Sequence, residues 1–438
     1  MAELSKERLE YLSRELKKFK DGIPVNDLAL KVLEKKISSL TKEFIDEGNT
    51  LAYTTSRRKS LESFIDKQNR NKEKNLNIDY EDMHDIVGIR LVCLTLTDMY
   101  EYIKLLRKTD EFEIVEERDY ISNPKKSGYK SYHILVKYPV VMGSKIEFIK
   151  AEIQLRTIFM DIFAREEHKI NYKGDCTEEN KRKLASLSKK LAYYDWSLDN
   201  QFKVEKKIKE KESEEELAPY RREYEKVSYI FYSVFDKIKP LIEESIKDFK
   251  NKDDVLHFVY GIKPIESIRR KMIKRHLECR AEDMLQVRDI VRYKVVCTDE
   301  KTAKEYISEI MKKLEENPQI TNIVTSDRMD KPKDSGYRGY KINASYLMPF
   351  VTGAPVTFEI LIRTMFMDAW ALHNDVIFTD EEAKEKYKEP FSGLSEALHD
   401  AESALEIIKS GSKANAKEKE IKVLELVNKY DKSKKNEE

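Results

Sequence analysis

The chain has 438 residues, enough for two or three domains of ~100–200 residues, and its 40% hydrophobic content is sufficient to build real cores. Its 82 basic and 81 acidic residues leave a formal net charge of +1, so charge balance singles out neither nucleic acid nor a membrane as partner. That hydrophobic content excludes a disordered chain, and a charged fraction of 37% with only 12 glycines and 11 prolines points to much exposed helix.

From the N-terminus, MAELSKERLEYLSREL is a charged helical pattern without the apolar core of a secretory signal, and helix continues to about residue 50. IVGIRLVCL is a short β-branched apolar run, the pattern of a buried strand, and DMYEYIKLLRKT has helical spacing. SYHILVKYPV and KIEFIKAEIQLRT alternate as sheet strands do, and TIFMDIFAREEHKI is an amphipathic helix opening at Thr157. Charged helix follows, with a junction over about 176–217, and a long helical segment at 216–249. The whole pattern then recurs: KSLESF at 59–64 as KPIESI at 263–268, DIVGIRLVC at 85–93 as DIVRYKVVC at 289–297, PKKSGYKSY at 124–132 as PKDSGYRGY at 332–340, and EIQLRTIFMD at 152–161 as EILIRTMFMD at 359–368. Four blocks in one order, at offsets between 204 and 208, make a duplicated domain too long for a solenoid repeat. Each copy reads as an α/β (α+β) unit, a mixed sheet with helices on it. The expected division is 1–200 for the first domain, 201–410 for the second and 411–438 for a lysine- and glutamate-rich tail, with a second helix opening at Thr364. No stretch approaches the ~20 apolar residues of a membrane helix. Cys93, Cys176, Cys279 and Cys297 form no CxxC pair or metal spacing; Cys93 and Cys297 read as buried inert thiols, consistent with a reducing, cytoplasmic compartment.

Several clusters carry polar chemistry. In SRRKSLESFIDK, Arg57 is followed by Lys59, Ser63 and Lys67, which share one face if a helix starts near Ser60; such a face suits a polyphosphate, although most basic faces are simply solvated. Asp85 sits at the edge of an apolar strand as a natural Mg²⁺ ligand, or as a turn residue; Gly88 allows close approach and Arg90 shares its strand face. KKSGYKSYH joins Lys125, Lys126, Lys130, Tyr129 and His133 around Gly128, either a purine-stacking and phosphate-holding loop or a surface hairpin. Glu152, Gln154 and Arg156 alternate onto one strand face just before a helix, and Glu167 and His168 lie where that helix could return over them.

Together these motifs, R-x-K-x-x-x-S, D-x-x-G-x-R, K-x-x-G-Y-x-S ending in His, E-x-Q-x-R-T and the E-H pair, resemble the synthetase domain of the RelA/SpoT family, in particular the small alarmone synthetases, over about 50–174. The resemblance implies two tandem nucleotidyltransferase-like domains and transfer of the β,γ-pyrophosphate of ATP to the 3′-hydroxyl of GDP or GTP, making guanosine tetra- or pentaphosphate. It implies that Arg57, Lys59, Ser63 and Lys67 bind ATP. Asp85 and Glu152 would hold Mg²⁺, with Glu152 also activating the hydroxyl and Arg90 completing the catalytic set. Lys125, Tyr129, Lys130, His133, Gln154, Arg156, Glu167 and His168 would serve the guanine nucleotide, Tyr129 by stacking.

The second copy keeps Lys263, Ser267, Lys271, Asp289, Lys333, Tyr337, Glu359 and Arg363. It has Gly261 for Arg57, Arg292 for Gly88, Lys294 for Arg90, Asp334 for Lys126, Lys341 for His133, Leu361 for Gln154 and Asn374-Asp375 for Glu167-His168. Arg292 would sit beside the metal carboxylate and compete with Mg²⁺, so this copy is expected not to catalyse the standard reaction. Open alternatives are a toxic relative acting on tRNA 3′ ends or making adenosine alarmones, and a second copy that binds nucleotide as a sensor or is purely structural. A homo-oligomer, or a pseudo-dimer of the two copies, is also expected. Alarmone hydrolysis is disfavoured: His84-Asp85 and His399-Asp400 are the only such dipeptides among seven histidines.

Overall fold

The computed structural model describes residues 6–73, 76–172, 177–200, 214–250, 254–348, 355–377 and 381–410. Cys176, most of the expected junction and the 411–438 tail lie outside them. The described residues form two compact units, one built on 6–200 and one on 214–406.

In the first unit, α1 (Lys6–Asp21) and α2 (Ile23–Asp46) lead to β1 (Leu51–Arg58) and α3 (Leu61–Glu73). Then come β2 (Val87–Cys93), α4 (Leu96–Lys108), β3 (Glu113–Asp119), β4 (Tyr132–Met142), β5 (Lys145–Thr157), α5 (Ile158–Tyr172) and α6 (Glu178–Asn200). The sheet order is β1-β2-β5-β4-β3, with β2 and β5 parallel and the other pairs antiparallel. The second unit has the same plan: α7 (Glu214–Asp248), β6 (Val255–Ile262), α8 (Ile265–Lys274), α9 (Ala281–Met284), β7 (Val291–Cys297), α10 (Glu300–Glu315), β8 (Ile320–Asp327), β9 (Tyr340–Tyr346), β10 (Val356–Thr364), α11 (Met365–Ile377) and α12 (Glu381–Ser410). Its order, β6-β7-β10-β9-β8, repeats the first strand for strand. The two five-stranded mixed sheets flanked by helices are the duplicated α/β architecture read from the sequence.

One sheet face of the first unit is buried. Ala29, Leu33, Ile37 and Phe44 of α2 and Met99, Tyr102 and Leu106 of α4 pack on Ile89, Leu91, Ile134, Val136, Ile153 and Leu155. Because strand side chains alternate, the intervening residues of β2 and β5 are left for the opposite face. Helix α3 is held from below by α1, where Leu12, Leu16 and Phe19 meet Phe64 and Ile65. It starts as its sequence indicates: the Ser60 hydroxyl accepts from the Ser63 backbone N–H at 3.2 Å. Thr157 does the same for α5, accepting from the Met160 N–H at 3.3 Å. Cys93 and Cys297 are fully buried, and burial pushes both thiols up.

Candidate active site

Glu152, Gln154 and Arg156 do share the free face of β5, and the β4–β5 register places His133 opposite Gln154. Their side chains and Tyr129 close a ring of hydrogen bonds. His133 Nδ1 meets Glu152 Oε1 at 2.9 Å and His133 Nε2 meets the Tyr129 hydroxyl at 2.9 Å. Arg156 Nη2 donates to the Tyr129 hydroxyl at 2.8 Å and to Gln154 Oε1 at 3.0 Å. Gln154 Nε2 then donates to Glu152 Oε2 at 2.7 Å, completing the circuit. Burial would raise the Glu152 carboxyl. Its bonds to His133, the charge there and the Gln154 amide override burial and bring it down to about 2.

Asp85 lies just before β2, and Lys59 and Lys67 both converge on it, at 2.8 and 2.7 Å. Burial alone would raise this carboxyl; the two ammonium groups hold it well below the usual carboxylate range. The Asp85 charge is also felt by Glu152, whose ladder partner Gly88 follows Asp85 by three residues, so the two carboxylates are neighbours across β2 and β5. Lys59 and Ser63 were read as parts of one phosphate face with Lys67. In the structure Lys59 is buried and Ser63 bonds to Ser60. Arg57 is opposite Gly88 in the β1–β2 ladder and exposed.

Beneath the ring sits the last residue of the repeated block EIQLRTIFMD. Asp161 of α5 is fully buried, accepts from Arg156 Nη1 at 2.8 Å, Arg165 Nε at 2.6 Å and the Tyr53 hydroxyl at 2.8 Å, and lies 3.2 Å from Arg90 Nη1. Arg90, Arg165 and Arg156 outweigh burial and hold its carboxyl below the ordinary range. Arg90 is therefore a member of the scaffold under the site. The clue was available, since FMD occurs in both copies.

The loop after β3 supplies Tyr129. Lys125 Nζ lies 4.7 Å from the Tyr129 ring centre and 4.8 Å from that of Tyr120. Gly128 has φ of +90°, and a Cβ there would lie 2.6 Å from Ser188 Cβ, so the close approach of α6 requires glycine. Ser188 donates to the Gly128 carbonyl at 2.5 Å, latching the loop to α6. Lys130 does not join Tyr129 and His133. It lines a small hollow behind the loop with Ser188, Phe163 and Asp195. Lys126 is exposed. Glu167 is half-buried on α5 and bonds to none of the other candidates. His168 keeps an exposed edge on α5, and its pKa is lowered by partial desolvation first and then by the charges of Arg57, Arg70 and Arg90.

The second unit presents the same face with different partners. Lys263 (2.8 Å) and Lys271 bind Asp289, as Lys59 and Lys67 bind Asp85. Lys341 pairs with Glu359 where His133 does with Glu152. Arg292 sits between Gly261 and Glu359 in the ladder, and its charge acts on Lys263. Leu361 has no hydrogen bond to give, so no ring can close. Lys294 and Arg363 share Asp368, at 2.8 and 3.1 Å, in the manner of Arg90 and Arg156 on Asp161.

Two neighbouring ionised carboxylates suit Mg²⁺, a hard cation that takes one or two protein carboxylates and completes its shell with water and substrate phosphate. Among the described residues no three His, Cys, Asp or Glu side chains are grouped to cage a metal by themselves. The first cleft therefore fits an ion that arrives with a polyphosphate, provided the lysines release Asp85 to it.

The fold, with its carboxylates and lysines gathered on one sheet face, defines an α/β domain suited to phosphate groups, and that domain is built twice in one chain. The chain belongs to the RelA/SpoT family: the family model described as "Region found in RelA / SpoT proteins" matches residues 56–177 and 261–389, more than half its length. It is 37% identical over 177 residues to GTP pyrophosphokinase YwaC of Bacillus subtilis, covering 39% of this chain and 83% of the relative. It is 35% identical over 169 residues to GTP pyrophosphokinase YjbM of the same organism, covering 38% and 78%. Among solved structures, small alarmone synthetase 2 from Bacillus subtilis matches at 35% identity with a TM-score of 0.39, covering 42% of this chain and 97% of that one. No helix among the described residues is long and apolar enough to cross a membrane.

Proposed function

We propose that the first unit is a GTP pyrophosphokinase centre that makes guanosine tetra- or pentaphosphate, and that the second unit does not catalyse this reaction. The domains are then 1–200, 201–410 and a 411–438 tail. The activity named for YwaC and YjbM supports a guanosine acceptor over an adenine nucleotide or a tRNA end.

The observation that carries the reading is the ionised Glu152, held by His133 and Gln154 on the cleft that Asp85, Lys59 and Lys67 share. Lys59, Lys67 and Arg57 receive the ATP phosphates; Asp85 and Glu152 would hold a Mg²⁺, which would supply charge neutralisation when bound. Tyr129 offers its ring to the acceptor base once Lys125 swings from it to the acceptor phosphates. Glu152 accepts the hydrogen bond of the ribose 3′-hydroxyl. The oxygen attacks the β-phosphorus of ATP, the bond to the α-phosphate oxygen breaks, and AMP leaves. A carboxylate with a pKa of about 2 is a weak base, so Glu152 orients the hydroxyl early and takes its proton late, as the new bond to phosphorus acidifies it.

In the second unit Lys341 on Glu359 and Arg292 beside it occupy the space this chemistry needs. The test is product formation from ATP and GTP in the full chain. Asp85→Ala should abolish synthesis and Asp289→Ala should retain it, and the opposite pattern would overturn the assignment. A mass-spectrometric comparison of ATP with GDP against ATP with deacylated tRNA settles the acceptor.

A further inference from the structure

The second cleft has exchanged parts of a catalyst for other charged side chains. Four cations, Lys263, Lys271, Arg292 and Lys341, surround two carboxylates, Asp289 and Glu359. The matching positions of the first cleft hold two cations, Lys59 and Lys67, a glycine and a histidine around Asp85 and Glu152. Arg292 and Lys341 stand on either side of Glu359 in the sheet; because Gly261 replaces Arg57, the cleft gains one cation in sum and moves another next to Glu359. Asp289 and Glu359 are buried, as is the Lys263 side chain. The other three cations are reachable from solvent, Lys271 and Lys341 being more than a third exposed and Arg292 half-buried, so they can meet an incoming anion.

The base platform also survives. Tyr337 keeps Lys333 and Arg363 each 5.3 Å from its ring centre, and it is half-buried, more open than Tyr129 at 8% exposure. Its loop is built as in the first unit: Gly336 has φ of +84°, and Ser395 donates to the Gly336 carbonyl. A cleft drifting without use has no reason to keep this latch, the tyrosine and both lysines on Asp289 while gaining a cation.

We propose that the second unit is a metal-independent receptor for a purine nucleoside polyphosphate, with Arg292 and Lys341 standing beside Glu359 where a divalent ion would be held in the first. This rests on reading the first cleft as a nucleotide site. The phosphates would lie against Arg292, Lys341 and the Lys263–Lys271 pair, with the purine on Tyr337.

Hydrogen–deuterium exchange of the full chain, with GTP or ATP in EDTA, localises binding by peptide. Protection is expected at 289–297 and 333–341, and it should persist in Gly88→Arg, which disables only the first cleft. Arg292→Gly should weaken this protection about tenfold or more, as loss of a charged contact does. Lys341→His is a milder second variant expected to act in the same direction, and circular dichroism verifies that each is folded. No protection in EDTA, or protection that appears only with Mg²⁺, overturns the proposal. So does equal protection by inorganic tripolyphosphate that Tyr337→Ala leaves unchanged, because that marks a plain anion patch. Failure of the first unit to make product would instead show at Asp85 in the synthesis assay, with the second unit's peptides giving their own answer.

Discussion

Glu152 is useful because its neighbours dictate its charge and direction together. His133 holds one carboxylate oxygen and Gln154 the other, and Arg156 ties both arms through Tyr129 and Gln154. Gln154→Leu, the residue found in the second unit, opens the ring while leaving the strand apolar and folded. It should lower kcat about tenfold with a smaller change in KM, since the lost bonds orient the base more than they bind substrate. The pH consequence has a definite sign. The folded Glu152 carboxyl lies near 2, below its ordinary value, so its stabilising contribution is present above about 4.5 and is lost as pH falls through about 2. The difference in melting temperature between the protein and Glu152→Gln should therefore shrink as pH falls from about 5 to 2. Gly88 poses a complementary question. A Cβ there would meet only the Glu152 backbone oxygen, at an ordinary 3.6 Å, so the fold does not demand glycine at this place. Gly88→Arg should give a folded chain without synthetase activity, which activity and circular dichroism together would show.

Helix α6 carries less obvious cargo. Besides Ser188 it buries Asp195, whose Oδ2 accepts from Thr157 at 2.8 Å while Oδ1 has no hydrogen-bond partner among the described residues. Burial raises this carboxyl to about 8, with Thr157 and Lys130 opposing and Asp199 adding to the shift. The second unit repeats the arrangement with Glu402 on Thr364, also raised by burial. A buried acid raised in this way binds its proton in the folded state and not in the unfolded one between about 4 and 8, so stability falls as pH rises through that window. Asp195→Asn keeps the acceptor for Thr157 and removes the titration. Its melting temperature should exceed that of the parent at pH 8, by about 1 kcal/mol or more of stability, and converge with it near pH 4. Such contacts were not legible in the sequence: LASLSKKLAYYDW has no motif, and Ser188 reaches Gly128 across sixty residues. Strands β2, β4 and β5 and the helix starts at Ser60 and Thr157 were legible, because alternation and hydroxyl caps are local signals, whereas the edge strands β1 and β3 carry no such pattern. The closed ring was not, since it depends on the register of β4 with β5, fixed at the far end by a turn at Gly143 with φ of +60°.

At the scale of the whole chain, duplication provides an internal control that a single domain lacks. Both sheets have one topology, both tyrosine loops have one serine latch, and both buried aspartates under the site hold paired cations. What separates the clefts is a short set of side chains on a shared frame, and that makes the loss of function reversible in principle. In a chain disabled by Asp85→Ala, Gly261→Arg, Arg292→Gly, Lys341→His and Leu361→Gln together clear the space beside Asp289 and rebuild the ring from Glu359 to Tyr337 and Arg363. Lys263, Lys271 and Asp289 already stand as Lys59, Lys67 and Asp85 do. Synthesis from ATP and GTP should rise above the Asp85→Ala background, well short of the parent rate because Asn374-Asp375 still replace Glu167-His168 on α11. Arg292→Gly alone should not suffice, because Lys341 would keep Glu359 in an ion pair. Recovery that needs the set and fails with any one member would show that the ring acts as a unit. Full recovery from Arg292→Gly alone would show that space beside Asp289 was the sole obstacle, and no recovery from the set would place the decisive divergence elsewhere in the unit.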